Sequence, residues 1–163
     1  MITTDKFVLF WGDQDIYSNF YPAEFEMEGN HFYWSEQAFM WLKAVTFGAD
    51  DIANELLAMT PEKHTPLECK KLGRRIKNFD DIIWTAKSYD AMVTAVYKKF
   101  SQNPTLLKQL LDTNDRILVE ASPYDKIWGI GMSETDKDAQ DVSNWKGQNL
   151  LGKVLMDVRK ELK

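Results

Sequence analysis

Between Leu118 and Gly131 the chain reads Leu-Val-Glu-Ala-Ser-Pro-Tyr-Asp-Lys-Ile-Trp-Gly-Ile-Gly. Glu120 and Asp125 bring two carboxylates to the end of a short apolar run. Trp128 offers a flat indole face, and Gly129 and Gly131 let backbone approach a ligand closely. Carboxylates in such a loop transfer protons or stabilise a developing cation. Another carboxylate stands in a different setting. Glu36 precedes Ala38-Phe39-Met40-Trp41-Leu42, a run that is apolar nearly all round. At 100° per residue Glu36, Met40, Lys43 and Phe47 share one helical face, with Glu36 and Lys43 about 10 Å apart along the axis. A carboxylate on that face is partly desolvated, which favours its neutral form and suits proton transfer.

Each of these residues also has a structural reading. Asp125 can stabilise a turn, Glu36 can be a first-turn carboxylate attracted by the helix dipole, and Trp128 can be core. Glu120 can replace either carboxylate or hold loop backbone by hydrogen bonds.

The elements that must position these groups follow from periodicity and punctuation. Lys6 to Trp11 reads as a strand. Phe25 and Met27 alternate with glutamates, and across a Glu28-Gly29-Asn30 turn the segment His31 to Trp34 returns as the second arm of a hairpin. Ser35 is placed as the N-cap of the helix carrying Glu36 and Lys43. Further helices are expected over Asp50 to Met59, from Thr65-Pro66 to Gly73, over Tyr89 to Phe100, after Asn103-Pro104, and from Asn149 to Leu162. Asp81 to Trp84 is ambiguous, Ile117 to Val119 reads as a buried strand, and Ser133 to Asp141 reads as a mobile polar loop. The expected architecture is α+β: one mainly helical domain over residues 1–163 with a few short antiparallel strands.

Composition narrows the function. The chain has 163 residues, of which 44% are hydrophobic and 13% aromatic, enough for an unaided core. A net charge of −5 argues against non-specific binding to a nucleic-acid backbone. One cysteine, Cys69, allows no internal disulfide and reads as packing, and two histidines are too few for the common zinc sites. The first residues lack an apolar signal core and no run approaches membrane-spanning length, so a cytoplasmic protein without membrane contact is expected.

Four ordered pieces then align: Ser18-Asn19-Phe20-Tyr21-Pro22; Tyr33-Trp34-Ser35-Glu36-Gln37 with Lys43-Ala44; Leu118 to Gly131; and Gly147-Gln148-Asn149-Leu150-Leu151-Gly152 with Leu155-Met156 and Arg159. With Gly73-Arg74 and Lys99-Phe100 between them, this set resembles the NADAR superfamily of YbiA-like N-glycosidases over nearly the whole chain. Trp34 and Gln37 stand where many relatives have a small residue and a histidine. The resemblance implies a mainly helical α+β fold and hydrolysis of an N-glycosidic bond; such a hydrolase is expected to need no metal and no redox cofactor. Its described substrates are phosphoribosylated pyrimidine intermediates of riboflavin synthesis, and some relatives remove ADP-ribose from guanine. Carried over, the family's proposed catalytic set falls on Glu36, Trp84 and Asp125.

Breaking a C–N glycosidic bond leaves positive charge on the sugar, which a fixed carboxylate stabilises while an acid protonates the departing base. Asp125 suits the first task and Glu36 the second. Trp84 and Trp128 can stack the base, although aromatics more often serve a core. Lys43, Arg74 and Lys99 are candidates for a substrate phosphate, each with a solvated surface cation as the plain alternative. Asn19 binds substrate or caps the turn before Pro22. Gly147 and Gly152 flank a helix start that either receives a phosphate or packs closely. The expected partner is a small phosphorylated N-glycoside, with ADP-ribosylated nucleic acid as a second class. An ADP-ribose-binding module without turnover is the competing reading.

Overall fold

A computed structural model describes residues 1–163. The chain divides into two compact units, Met1–Ser18 with Pro104–Lys163, and Asn19–Asn103.

In the first unit, strands β1 (Ile2–Thr3), β2 (Phe7–Phe10) and β5 (Ile117–Glu120) form a three-stranded sheet in the order β1-β2-β5. Every residue of β2 is buried, as a central strand between two neighbours requires. Phe7, Leu9, Val119 and Ala121 make one core cluster with Ile130, Met132 and Ala139. β1 pairs with β2 antiparallel, but β2 pairs with β5 in parallel, Phe10 opposite Glu120. Only antiparallel strands were expected. A parallel ladder needs a long crossover, and over a hundred residues separate these two strands in sequence, a pairing that local patterning does not register. Helix α5 (Pro104–Asp112) precedes β5, and α6 (Leu150–Glu161) packs against it. The segment expected as a mobile loop, Ser133 to Asp141, winds into a 3₁₀ turn at Lys137–Gln140 capped by Asp136, and a second turn, Val142–Asn144, capped by Asp141, follows it. Fully buried Ala139 and a 2.7 Å bond from Trp145 Nε1 to its carbonyl pin that segment.

The second unit carries the hairpin β3 (Phe25–Met27) and β4 (Asn30–Phe32), joined through Glu28 and Gly29. Both turn residues have positive φ (52° and 75°), which matches the twist of the two arms. Helices α1 (Ser35–Thr46), α2 (Asp50–Leu57), α3 (Pro66–Gly73) and α4 (Asp81–Ser101) follow. Phe25, Met27, Phe32, Ala38 and Ala95 form its core cluster. α3 opens on a capping box between Thr65 and Glu68, with Pro66 first. α4 absorbs the ambiguous stretch at Asp81: Ile82 and Ile83 are exposed and blur the period, but Asp80 accepts the Ile83 N–H and starts the helix.

Candidate active site

In the second unit the structure gathers Glu36, Lys43, Arg74 and Trp84 around one face of α1. Glu36 is buried, 7% exposed, and its N–H donates to the Asn19 carbonyl at 3.2 Å. Ser35 is not the N-cap that the sequence suggested. It is the first helical residue, wholly buried, and its hydroxyl donates to Asn19 Oδ1 at 2.8 Å. Asn19 also directs Nδ2 at the Met92 sulfur, 3.3 Å away. Asn19 therefore brackets the first turn of α1 and sets where Glu36 stands. Gln37 is spent on structure: Oε1 accepts from the Tyr33 N–H, and Nε2 donates to the carbonyls of Leu56 and Met59 at the end of α2.

Lys43, two turns along from Glu36, donates to the Gly73 carbonyl at 3.1 Å and lies 4.6 Å from the centre of the Phe79 ring. Desolvation pulls its pKa below the ordinary lysine value; Arg74 adds to that, and Glu36 opposes it. Those three charges share one electrostatic neighbourhood. The buried Cys69 thiol belongs to it too, pushed up to about 12 by burial first and then by Glu36 and Glu68. Cys69 is accordingly a packing residue rather than a nucleophile. Gly73 carries no side chain because the Met40 sulfur occupies the space a Cβ would need. Trp84, half-buried, sets its ring 5.2 Å from Phe39 and 6.3 Å from Phe47, and Phe47 meets Phe79 at 5.4 Å. The result is a buried carboxylate that acts electrostatically on a desolvated ammonium lying against the Phe79 ring. Arg74 is exposed.

Lys99 departs from the surface-cation reading. It is 1% exposed, with its ammonium 5.7 Å from the Tyr21 ring centre and 5.1 Å from that of Phe100.

In the first unit, Asp125, Trp128 and Gly129 belong to one tightly wound loop that follows Glu120, the last residue of β5. Asp125 Oδ1 accepts from the N–H groups of both Ile127 and Trp128 at 2.9 Å. The hydroxyl of Ser122 accepts from Tyr124 and Asp125 N–H groups. The turn-stabilising role of Asp125 is thus present, and it fixes the carboxylate's orientation while Oδ2 takes no part in those bonds. Gly129 is buried, and a Cβ there would lie 2.9 Å from the carbonyl oxygens of both Asp125 and Glu120. Its smallness serves the loop's own packing.

Asn149 locks this loop to the sheet. It sits at φ 54°, and its side chain does not cap α6. Instead Oδ1 accepts from the Glu120 N–H at 3.0 Å and Nδ2 donates to the Leu118 carbonyl at 2.9 Å, completing the outer edge of β5. The phosphate reading of the α6 start loses its donors: the N–H groups of Gln148, Asn149, Leu150 and Leu151 already donate to the carbonyls of Lys126, Gly129, Ile127 and Trp128. Gly147 and Gly152 are packing glycines, since a Cβ would collide with the Gly129 carbonyl at the first and with the Leu118 carbonyl at the second. Sequence reading assigned no role to the side chain of Asn149. The available signal was its residue type, because asparagine tolerates left-handed backbone at a helix entry.

No three His, Cys, Asp or Glu side chains meet in a metal-binding cluster, and no helix is long and apolar enough to cross a membrane.

Known proteins resemble the chain in sequence and in fold. N-glycosidase R617 of Acanthamoeba polyphaga mimivirus is 41% identical, the alignment covering 97% of each chain. The chloroplastic riboflavin biosynthesis protein PYRR of Zea mays is 33% identical over 93% of this chain and 24% of its own length. The solved structure of the E. coli protein YbiA superposes with a TM-score of 0.77 at 25% identity, covering 99% of this chain and 87% of that one. The model of the NADAR domain matches residues 9–163, and the chain belongs to the NADAR family.

Proposed function

We propose that the protein is an N-glycosidase that hydrolyses the C–N bond between a phosphorylated ribosyl group and a heteroaromatic base. The substrate class is the early phosphoribosylated aminopyrimidines of riboflavin synthesis. The observation that carries the reading is the buried carboxylate of Glu36 acting electrostatically on the desolvated ammonium of Lys43, which lies against the Phe79 ring. Such a pair suits proton traffic to a leaving nitrogen, since burial strengthens each charge's effect on the reacting atoms. The name of R617 and the riboflavin name of the maize relative point to the same chemistry.

In the reaction the C1′–N bond breaks, a water oxygen bonds to C1′, and one water proton ends on the departing base. Glu36 moves the proton, and Asp125 keeps the role of stabilising the ribosyl cation that the family resemblance implies for it. Trp84 supplies a flat face. Lys43 and Arg74 hold the phosphate, and the exposed guanidinium of Arg74 suits two-pronged contact. Lys99 is a further candidate for holding that anion.

The deciding experiment incubates the purified protein with phosphoribosylaminopyrimidines, ADP-ribosylated guanosine and NAD, and detects released base by mass spectrometry. Release from the aminopyrimidines alone is expected. Release only from ADP-ribosylated guanosine moves the protein to reversal of nucleic-acid modification. Binding without release from any of them makes it a nucleotide-binding module.

A further inference from the structure

Two large aromatic side chains of the first unit are left in water beside the Asp125 loop. Trp11 is 47% exposed and Tyr124 is 84% exposed, and their ring centres lie 6.0 Å apart at an interplanar angle of 53°. Neither has a role in the core. Exposing this much aromatic surface forgoes burial that this fold grants to Phe7, Phe10 and Tyr17 close by in sequence.

Their backbone supports are stiff. Trp11 leaves the carboxyl end of β2, and its N–H donates to Asp15 Oδ2 at 3.0 Å; the chain then turns at Gly12, whose φ is 99°. Tyr124 leaves the carboxyl end of β5, and its N–H is held by the hydroxyl of Ser122, a residue only 5% exposed. β2 and β5 are parallel and in register at Phe10 and Glu120, and the Ala121 N–H donates to the Phe10 carbonyl at 2.8 Å. The ladder therefore delivers both aromatics to the same end of the sheet. Parallel strands commonly present ligand-binding loops at that end. The two rings pair at a tilt with much of their surface in water, and the next residue after Tyr124 is Asp125.

We infer that Trp11 and Tyr124 form a stacking platform for the heteroaromatic base of the substrate and so set which bases are accepted. This rests on the N-glycosidase reading, which supplies a planar leaving group beside a carboxylate that stabilises the sugar. A flat heterocycle matches this exposed aromatic surface, because stacking tolerates varied ring substituents while rejecting non-aromatic groups.

The test compares wild type with Trp11→Ala, Tyr124→Ala and Tyr124→Phe. Isothermal titration calorimetry measures binding of GMP, CMP and ribose 5-phosphate, and melting temperature is recorded for each variant. At least one nucleotide is expected to bind wild type more tightly than ribose 5-phosphate. Each alanine variant should weaken that nucleotide by about tenfold or more, leave ribose 5-phosphate affinity unchanged, and melt as wild type does. Tyr124→Phe should retain most of the affinity. Neither nucleotide exceeding ribose 5-phosphate, or equal loss for all three ligands, overturns the platform. Nucleotide binding that depends on the pair in a protein that releases no base supports the platform and rejects the hydrolase; base release unaffected by either alanine variant keeps the hydrolase and rejects the platform.

Discussion

Lys43 donates its ammonium to the carbonyl of Gly73 across 3.1 Å, at the C-terminal end of α3, with the Phe79 ring centre 4.6 Å from the nitrogen. A helix C-terminus favours a cation, yet burial outweighs this support and the lysine loses its proton more readily than usual. Lys43→Ala is expected to reduce kcat/KM for phosphorylated substrates by about tenfold or more, and to reduce it less for their dephosphorylated forms. The protonated amine is the binding form, so wild-type kcat/KM should fall on an alkaline limb below the ordinary lysine range. That limb should be absent from Lys43→Ala. Steady-state kinetics against pH on matched substrates check both points, and equal losses for the two forms would return Lys43 to a structural role.

The two carboxylates call for different variants. Glu36→Gln keeps size and removes charge from a buried position, and should lower turnover about 100-fold or more, the scale of acid–base groups. For Asp125 the loop geometry matters, since Oδ1 holds the N–H groups of Ile127 and Trp128. Asp125→Asn retains an oxygen that can accept both bonds, so it should melt close to wild type while losing turnover about 100-fold. Asp125→Ala removes the acceptor as well and should lose stability in addition, about 1–2 kcal/mol. Calorimetry beside single-turnover kinetics separates these outcomes; wild-type turnover in a folded Asp125→Asn would remove its chemical role.

Much of this was legible because it is local. The hairpin turn at Glu28-Gly29, the helix start at Thr65-Pro66 and the apolar face bearing Glu36 and Lys43 all follow from residue types at short spacing. What escaped depends on contacts distant in sequence. The parallel register of β2 with β5 joins residues 110 positions apart, Phe10 with Glu120, and strand patterns carry no direction. Ser35 has the type of an N-cap, but the hydroxyl is used by Asn19, sixteen residues earlier. Lys99 has the type of a surface residue and is buried among aromatics. In each case a tertiary partner overrode a sound local preference.

Asn149 gives a prediction about stability that bears on the site. Its side chain bonds the Glu120 N–H and the Leu118 carbonyl, and it is 1% exposed. Asn149→Ala leaves both groups without that partner and places alanine in left-handed backbone, so a loss of about 2–4 kcal/mol is expected. Asn149→Asp keeps an acceptor for Glu120 but cannot donate to Leu118, and should fall between wild type and alanine. Denaturant unfolding orders the three. An alanine variant as stable as wild type would mean that the edge of β5 is held by other contacts.

His31 makes stability depend on pH in a direction that can be worked out in advance. Its Nδ1 lies 2.6 Å from Glu26 and its Nε2 2.9 Å from Glu24, so both ring nitrogens face carboxylates, a geometry that requires the imidazolium. The hydrogen bond with Glu26 first, then that with Glu24, raises the folded pKa above 6.5. Below that ordinary value both folded and unfolded chains hold the proton, and the full stabilisation is present. As pH climbs from 6.5 through the raised folded value, the folded protein keeps a proton that the unfolded chain has released, and the contribution is lost. The three side chains are 42%, 67% and 62% exposed, so solvent and salt screen the cluster and its worth should stay below about 1 kcal/mol. His31→Gln removes the titrating group while keeping a polar side chain on the hairpin. The melting-temperature difference between wild type and His31→Gln should be largest near pH 5.5, shrink toward pH 8.5, and decrease at every pH on adding salt. A difference that is constant with pH, or that grows as pH rises, would show that the two glutamates do not stabilise a charged His31 in the folded protein.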